Sequence, residues 1–505
     1  MHISKLESLQ RREFLRRTAA LGLAGTAGNL ALSLAGIGEA AAQNASTDDY
    51  KALVCVFLYG GNDHDNTFVP YDTGSHNVYQ ALRNVGDAAS NIYAPKTKLT
   101  LLQPTNLQPT SSLPLGQQYA VQAAMGKMAN LFNVDRKMGV LLNVGPLMKP
   151  TNKNSYTNAK TGDLPPKLFS HNDQFSLWQS GLLEGAEGAT QGWGGRLGDL
   201  FLGSDNKAHF TCINAAGNAV FMSGQNVLPY QVTKSGAVAI DSLKSSKTTL
   251  YGSAEVKNAL STLLSPSTSS TAGTSYQPSH WMEQEWARMV KSSIDNQQIV
   301  TSSLQTTPTF TTAFENDSLS AQLQIVARLI QARSSLDVSK QVFFVSLGGF
   351  DHHDGLKNAH AGADGTGGLL KMVNDAMYSF YKATEQLGVA DKVTTFTASD
   401  FGRTLSSNGD GSDHGWGSHH MVMGGAVVGG KFWGTAPDLS TVAKALDGDA
   451  PDTVGQGRLL PSTSVDEFAA VLARWMGVTE SSQLKSVLPN YDAFPGREPP
   501  KIFVS

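Results

Sequence analysis

Five short stretches of this chain pair aspartate with histidine or arginine: GGNDHDNT at 60–67, FSHNDQ at 169–174, GGFDHHDG at 348–355, SDFGRT at 399–404 and DHGWGSHH at 413–420. Seven of the twelve histidines, His64, His171, His352, His353, His414, His419 and His420, fall inside them. Carboxylate oxygens and imidazole nitrogens gathered without cysteine are the ligand set of a hydrolytic zinc or manganese site. Taken alone, Asp63 reads as a turn former or helix cap, and His171 as a surface or capping residue. Their joint recurrence points to a divalent metal centre, against the plainer reading of a solvated polar rim. Cys55 and Cys212 are the only cysteines, each inside a predicted strand. Two buried thiols are therefore expected rather than a disulfide, and a cysteine zinc site is excluded.

These stretches need something to bring them together. Apolar, β-rich runs end at or near them: ALVCVFLYGGND (52–63), GVLLNVGP (139–146), HFTCINAAG (209–217), QVFFVSLGGFD (341–351) and KVTTFTASDFG (392–402). Continuous apolar runs suit strands covered on both faces. Between them, residues 318–336 repeat Leu319, Leu323, Val326 and Ile330 on one helical face, and 368–388 repeat Leu369, Val373, Met377 and Phe380. Strand, helix and strand from 341 to 398 make a βαβ unit, which predicts an α/β fold with a mostly parallel sheet. In such sheets ligands bind beyond the carboxyl ends of the strands, where the polar stretches lie.

The composition, 40% hydrophobic and 16% charged over 505 residues, is that of a globular chain. A net charge of −3, with no basic block beyond the extreme N-terminus, argues against a nucleic-acid partner. Residues 1–42 read as a twin-arginine signal peptide: Arg11 and Arg12 precede Phe14 and Leu15, a weakly apolar Ala/Gly-rich run extends from Thr18 to Ile37, and Ala40-Ala41-Ala42 offers a cleavage site. The expected partner during export is the twin-arginine translocase, and the expected location is periplasmic or extracellular. No later run approaches the roughly 20 apolar residues of a membrane span. Residues 43–505 are expected to form one α/β domain, with a Ser/Thr-rich insertion at about 261–279.

The chain resembles an uncharacterised family of twin-arginine-exported proteins within the alkaline phosphatase and sulfatase superfamily. The matching elements are RREFL at 11–15, GGNDHDNT before Val69-Pro70, SHNDQ followed by GWGGR at 192–196, GGFDHH, SDFGRT, DHGWGSHH, and LPSTSVDEFAAVLARWMGV at 460–478. The resemblance implies an alkaline-phosphatase-like sheet flanked by helices, with loop insertions, and one or two divalent ions, zinc or manganese. The ligands it implies are Asp63, with Asn66 a neighbour, Asp351, His353, Asp400, His414 and His419, with His352 turned away or behind the ligands. Here Asp400 is followed by Phe401 where well-known members carry an adjacent Asp-His pair, so either Asp400 and His414 share that role or Asp413 replaces Asp400. Ser170 is the candidate nucleophile, although Ser170 with Asp173 also fits a helix cap. Arg403 and Arg196 are candidate anion clamps, each equally suited to a structural ion pair. Neither cysteine begins a Cys-x-Pro-x-Arg sulfatase motif. The leading expectation is a metal-dependent hydrolase of small anionic phosphate or sulfate esters, and the second is a non-catalytic exported binding or assembly protein.

Overall fold

The computed structural model describes residues 49–503 apart from 88–89, 106–112, 114–115, 182–187, 203–207, 239–247, 265–280, 309, 447–451 and 498–499. The expected signal peptide and most of the Ser/Thr-rich insertion lie outside the described residues.

The strands are β1 (Lys51–Leu58), β2 (Val69–Pro70), β3 (Leu99–Leu101), β4 (Tyr119–Gln122), β5 (Met138–Gly145), β6 (Cys212–Asn214), β7 (Tyr230–Thr233) and β8 (Gly236–Ala237). They continue as β9 (Lys340–Leu347), β10 (Val393–Ser399), β11 (Arg403–Ser407), β12 (Ser412–His414), β13 (Ser418–Gly424), β14 (Phe432–Gly434) and β15 (Thr463–Ser464). A ten-stranded sheet runs β14-β5-β13-β10-β1-β9-β6-β7-β8, with β15 paired to β5. β1 lies at its centre, parallel to both β10 and β9. The sheet is mostly parallel as expected, and β13 is the internal exception, antiparallel to β10 and β5. HFTCINAAG supplies less strand than its composition predicts, because a helical turn, Ala208–Thr211, occupies its start and only β6 enters the sheet.

Alternation along β1 explains the layering. Ala52, Val54, Val56 and Leu58 join one buried cluster with Leu323, Ile330, Val373 and Phe380 from the helices Ser318–Gln331 and Gly368–Gln386. Leu53, Cys55 and Phe57 join the other, with Leu197, Phe468 and Leu472 from Trp193–Leu200 and Val465–Met476. A strand whose two faces are both buried has to be apolar throughout, and this one is. Cys55 and Cys212 are free and buried. No helix among the described residues is long and apolar enough to cross a membrane.

Register places the functional loops. Leu58 stands opposite Ser399 on one side and Leu347 on the other, so β1, β10 and β9 end at one level. The segments after them are stitched together: Ser399 Oγ donates to Leu58 O (2.7 Å) and accepts from Asn62 N–H (2.8 Å). Gly60 is held at φ 112°, and a Cβ there would lie 2.4 Å from the Asp351 nitrogen. Only glycine lets these two loops approach so closely.

Candidate metal centre

A loop, a strand end and a helix start meet at this level. Asp351 and His353 follow β9, His414 closes β12, and His171 is the first residue of the helix His171–Ser180. Their free atoms converge. His171 Nε2 lies 3.1 Å from His414 Nε2, and His353 Nε2 lies 2.9 Å from that same nitrogen. Asp351 Oδ2 is 3.4 Å from His171 Nε2, while Asp351 Oδ1 is 3.1 Å from His353 Nε2 and 3.4 Å from His414 Nε2. His171, Asp351 and His414 each place a ligand atom within 4.8 Å of the others.

The opposite ring nitrogens decide which atoms carry lone pairs. His414 Nδ1 lies 2.7 Å from the Phe169 carbonyl, which can only accept, so Nδ1 carries the proton. His171 Nδ1 lies 2.6 Å from Asp400 Oδ2, and the same logic protonates Nδ1 there. In the neutral tautomers both Nε2 atoms then point lone pairs at each other. Burial depresses the pKa of His414, the Phe169 carbonyl opposing it only in part. Burial also disfavours charge on His171, but its hydrogen bond to Asp400 and the charges of Asp400 and Asp351 outweigh it and raise the pKa. A proton on His171 can bridge to His414, which leaves His353 Nε2 to Asp351 Oδ1 at 3.1 Å. A divalent ion instead takes the lone pairs of His171 and His414 together with an Asp351 oxygen, all within 4.8 Å of one another. With metal–nitrogen bonds of about 2.0–2.1 Å, tetrahedral ligands stand about 3.3 Å apart, close to the separations here. Histidine ligands that donate their other N–H to a carboxylate or a carbonyl are the usual second layer of such a site.

The neighbours hold this geometry. Asp400 Oδ2 also accepts from Gly60 N–H (3.2 Å), so Asp400 stands behind His171; its Oδ1 is buried and accepts no hydrogen bond. Asp413 Oδ1 is 3.4 Å from His353 Nδ1 and accepts from Asn408 Nδ2 (2.8 Å), which places it behind His353. Arg403 Nη1 donates to Asp351 Oδ1 and to Gly60 O, both at 2.9 Å, and its Nε and Nη2 donate to Ser412 O. Its donors are spent on orienting Asp351 and the loop rather than left for an anion. Burial would raise the Asp351 pKa, yet Arg403 and the histidines bring it below the ordinary carboxylate range.

Other residues expected at the site stand elsewhere, each for a physical reason. Asp63 is 1% exposed, and Arg83 Nη1 and Nη2 grip its two oxygens at 2.6 and 2.9 Å. Asn66 Nδ2 adds a 2.8 Å hydrogen bond to Oδ2, so Asp63 has no face left for a metal. His419 is buried on β13, where Nδ1 accepts from Asn143 N–H (3.1 Å) and the ring lies against His64. Arg196 donates to the carbonyls of Val487 (2.8 Å) and Ser180 and is a structural tie, not an anion clamp. His352 Nε2 is buried without a hydrogen-bond partner. Ser170 occupies the N-cap position, but its Oγ donates to Asp173 Oδ2 (2.8 Å) instead of capping a backbone N–H.

The model of a family described as a protein of unknown function, DUF1501, matches residues 50–488. The chain belongs to this family. No curated protein matches this DUF1501 chain. Among solved structures it is similar to Ps i-CgsB in complex with k-i-k-neocarrahexaose, at 9% identity and TM-score 0.33, over 88% of this chain and 76% of that one. The PsFucS1 sulfatase from Pseudoalteromonas sp. matches at 10% identity and TM-score 0.31, over 81% and 69%. At these scores the likeness adds nothing to what the strand order and side chains show.

In the DUF1501 sequence His171 taken alone reads as a surface or capping residue, and the structure brings it into the cluster. The signal was present in SHNDQ: a histidine at the first position of a helix projects back toward the strand ends, beside a serine already singled out.

Proposed function

We propose that this protein is an exported, metal-dependent hydrolase of phosphate or sulfate esters. The observation that carries the reading is the convergence of His171 and His414 Nε2 with the Asp351 carboxylate, both imidazoles having Nδ1–H committed behind them, with His353 Nε2 beside His414 and Asp351. His171, His353, His414 and Asp351 hold one divalent ion, zinc or manganese. A bound ion supplies a Lewis acid toward a phosphoryl or sulfuryl oxygen. Asp351 and His353, with side chains 45% and 47% exposed, leave one side of the site open to a small anionic ester. Ser170, adjacent to His171, carries its hydroxyl proton toward the Asp173 carboxylate, an arrangement that lets Asp173 hold that proton while the oxygen attacks. Export by the twin-arginine translocase to the periplasm or beyond is part of the same reading, resting on Arg11-Arg12 and the apolar run after them.

Elemental analysis of the mature protein, purified after export and kept from chelators, tests it together with a screen of phosphate and sulfate esters. About one zinc or manganese per chain, with chelator-sensitive turnover, is expected. Folded protein free of metal sinks the mechanism, and metal without turnover on any ester leaves an ion in a binding or assembly protein.

A further inference from the structure

Arg458 lies in the loop before β15, remote in sequence from every ligand, yet it touches two parts of the centre. Its Nε donates to the backbone carbonyl of His414 at 2.7 Å. Its guanidinium carbon sits 4.7 Å from the centroid of the Phe169 ring. Phe169 in turn offers the carbonyl that accepts from His414 Nδ1 (2.7 Å), and it does so from φ 72°, a left-handed backbone that an aromatic residue rarely adopts. Such an outlier persists only where its surroundings hold it. The loop that supplies Arg458 is itself closed, with Val454 N–H donating to Arg458 O (2.8 Å) and Arg458 N–H to Gly455 O (3.1 Å).

We infer that Arg458 is a positioning residue for the metal ligand His414, holding its backbone carbonyl through Nε and the Phe169 ring beneath the guanidinium. The inference rests on the metal-centre reading of the site. A guanidinium does both jobs at once, because Nε donates to the carbonyl while the cation's carbon lies over the ring; a lysine ammonium, a single point charge, cannot. Two arginines thus frame the centre: Arg403 fixes Asp351, and Arg458 fixes His414 and the carbonyl that sets its tautomer.

The test is Zn²⁺ titration of the chelator-stripped mature chain, comparing wild type with Arg458→Lys, Arg458→Met and Phe169→Gly, alongside the unfolding temperature of each metal-free form. Loss of an outer partner of a metal ligand weakens binding about ten- to hundredfold. That loss is expected for both Arg458 variants, with Lys failing to rescue, and with a shifted visible band when Co²⁺ replaces Zn²⁺. Phe169→Gly keeps the carbonyl and tolerates the backbone but removes the ring, and it is expected to weaken binding in the same direction. Wild-type Zn²⁺ affinity and Co²⁺ spectrum in a folded Arg458→Met, with only a lowered unfolding temperature, overturns the clamp. Should Arg458→Met not fold, Arg458→Lys decides in the same way. A wild-type chain that binds neither Zn²⁺ nor Mn²⁺ overturns the metal reading itself, whereas wild-type binding with indifferent variants overturns the clamp alone.

Discussion

Asp63 and Asp351 follow neighbouring strands in the same short pattern, GGND and GGFD, yet the fold uses them in opposite ways. Arg83 occupies both oxygens of Asp63 and leaves it 1% exposed. Arg403 gives a single nitrogen to Asp351 Oδ1, leaving Oδ2 to face His171 and the side chain 45% exposed. The difference teaches that a strand-end carboxylate becomes a candidate ligand according to how many of its lone pairs the protein has already consumed. Charge and the spacing after the paired glycines are the same in both, and their places beyond the strand ends differ by a single residue.

Removing each aspartate in turn should break the pair apart. Asp63→Ala strands a fully buried Arg83 and is expected to cost about 3–5 kcal/mol, read from the urea midpoint, while the metal content of whatever folds stays at the wild-type level. Asp351→Ala is expected to do the reverse. Its Zn²⁺ affinity should fall by more than about a hundredfold, beyond the loss typical of an outer partner, with little change in the unfolding of the metal-free form. If Asp63→Ala lost the metal and kept its stability, the two assignments would have to be exchanged.

The pair also marks where the sequence could be read. The apolar strands, the mostly parallel character of the sheet and the faces of the helices Ser318–Gln331 and Gly368–Gln386 are legible in local patterns, whereas the insertion of β1 between β9 and β10 is not. The gathering of polar residues at strand ends is legible as well, and from it Asp351, His353 and His414 come together. What separates Asp63 from Asp351 is Arg83, twenty residues downstream at the end of the helix Thr73–Arg83, and no local pattern says which carboxylate it will reach. His419 stands apart from the cluster for a related reason. DHGWGSHH looks like one motif, but it crosses from β12 to β13, a strand antiparallel inside a parallel sheet, so that His414 faces the centre and His419 the interior.

Acid sharpens the contrast further. Burial alone would raise the Asp63 pKa, but the ion pair with Arg83 carries it down to about 2 from an ordinary value of 3.8. A carboxylate whose pKa is depressed on folding contributes stability that is fully present above its unfolded pKa. That stability is lost as pH falls through about 4 toward 2. The contribution is about 2–3 kcal/mol, so the urea midpoint should drop across that window, and Asp63→Asn should flatten the dependence from a lower starting point. Asp351 is lowered in the same direction but is nearly half exposed, where solvent screening discounts the interaction, so Asp351→Asn should leave the acid limb almost intact. A limb that flattens with Asp351→Asn and not with Asp63→Asn would contradict the burial argument.

The smallest expected effect belongs to a third aspartate, which is neither fully consumed nor a ligand. Asp400 Oδ2 accepts from His171 Nδ1 and Gly60 N–H, so it orients His171 and makes its Nε2 more basic. Asp400→Asn keeps an oxygen that can accept both hydrogen bonds but removes the charge, so the ring stays in place while the nitrogen becomes a poorer donor to a metal. Zn²⁺ affinity should fall about tenfold, at the low end of the range for outer partners, and His171→Ala should fall further. Asp400→Leu removes the acceptor as well, frees the His171 tautomer and should lie between the two. Equal losses for Asn and Leu would mean that charge does all the work of Asp400, and no loss for either would place His171 outside the ligand set.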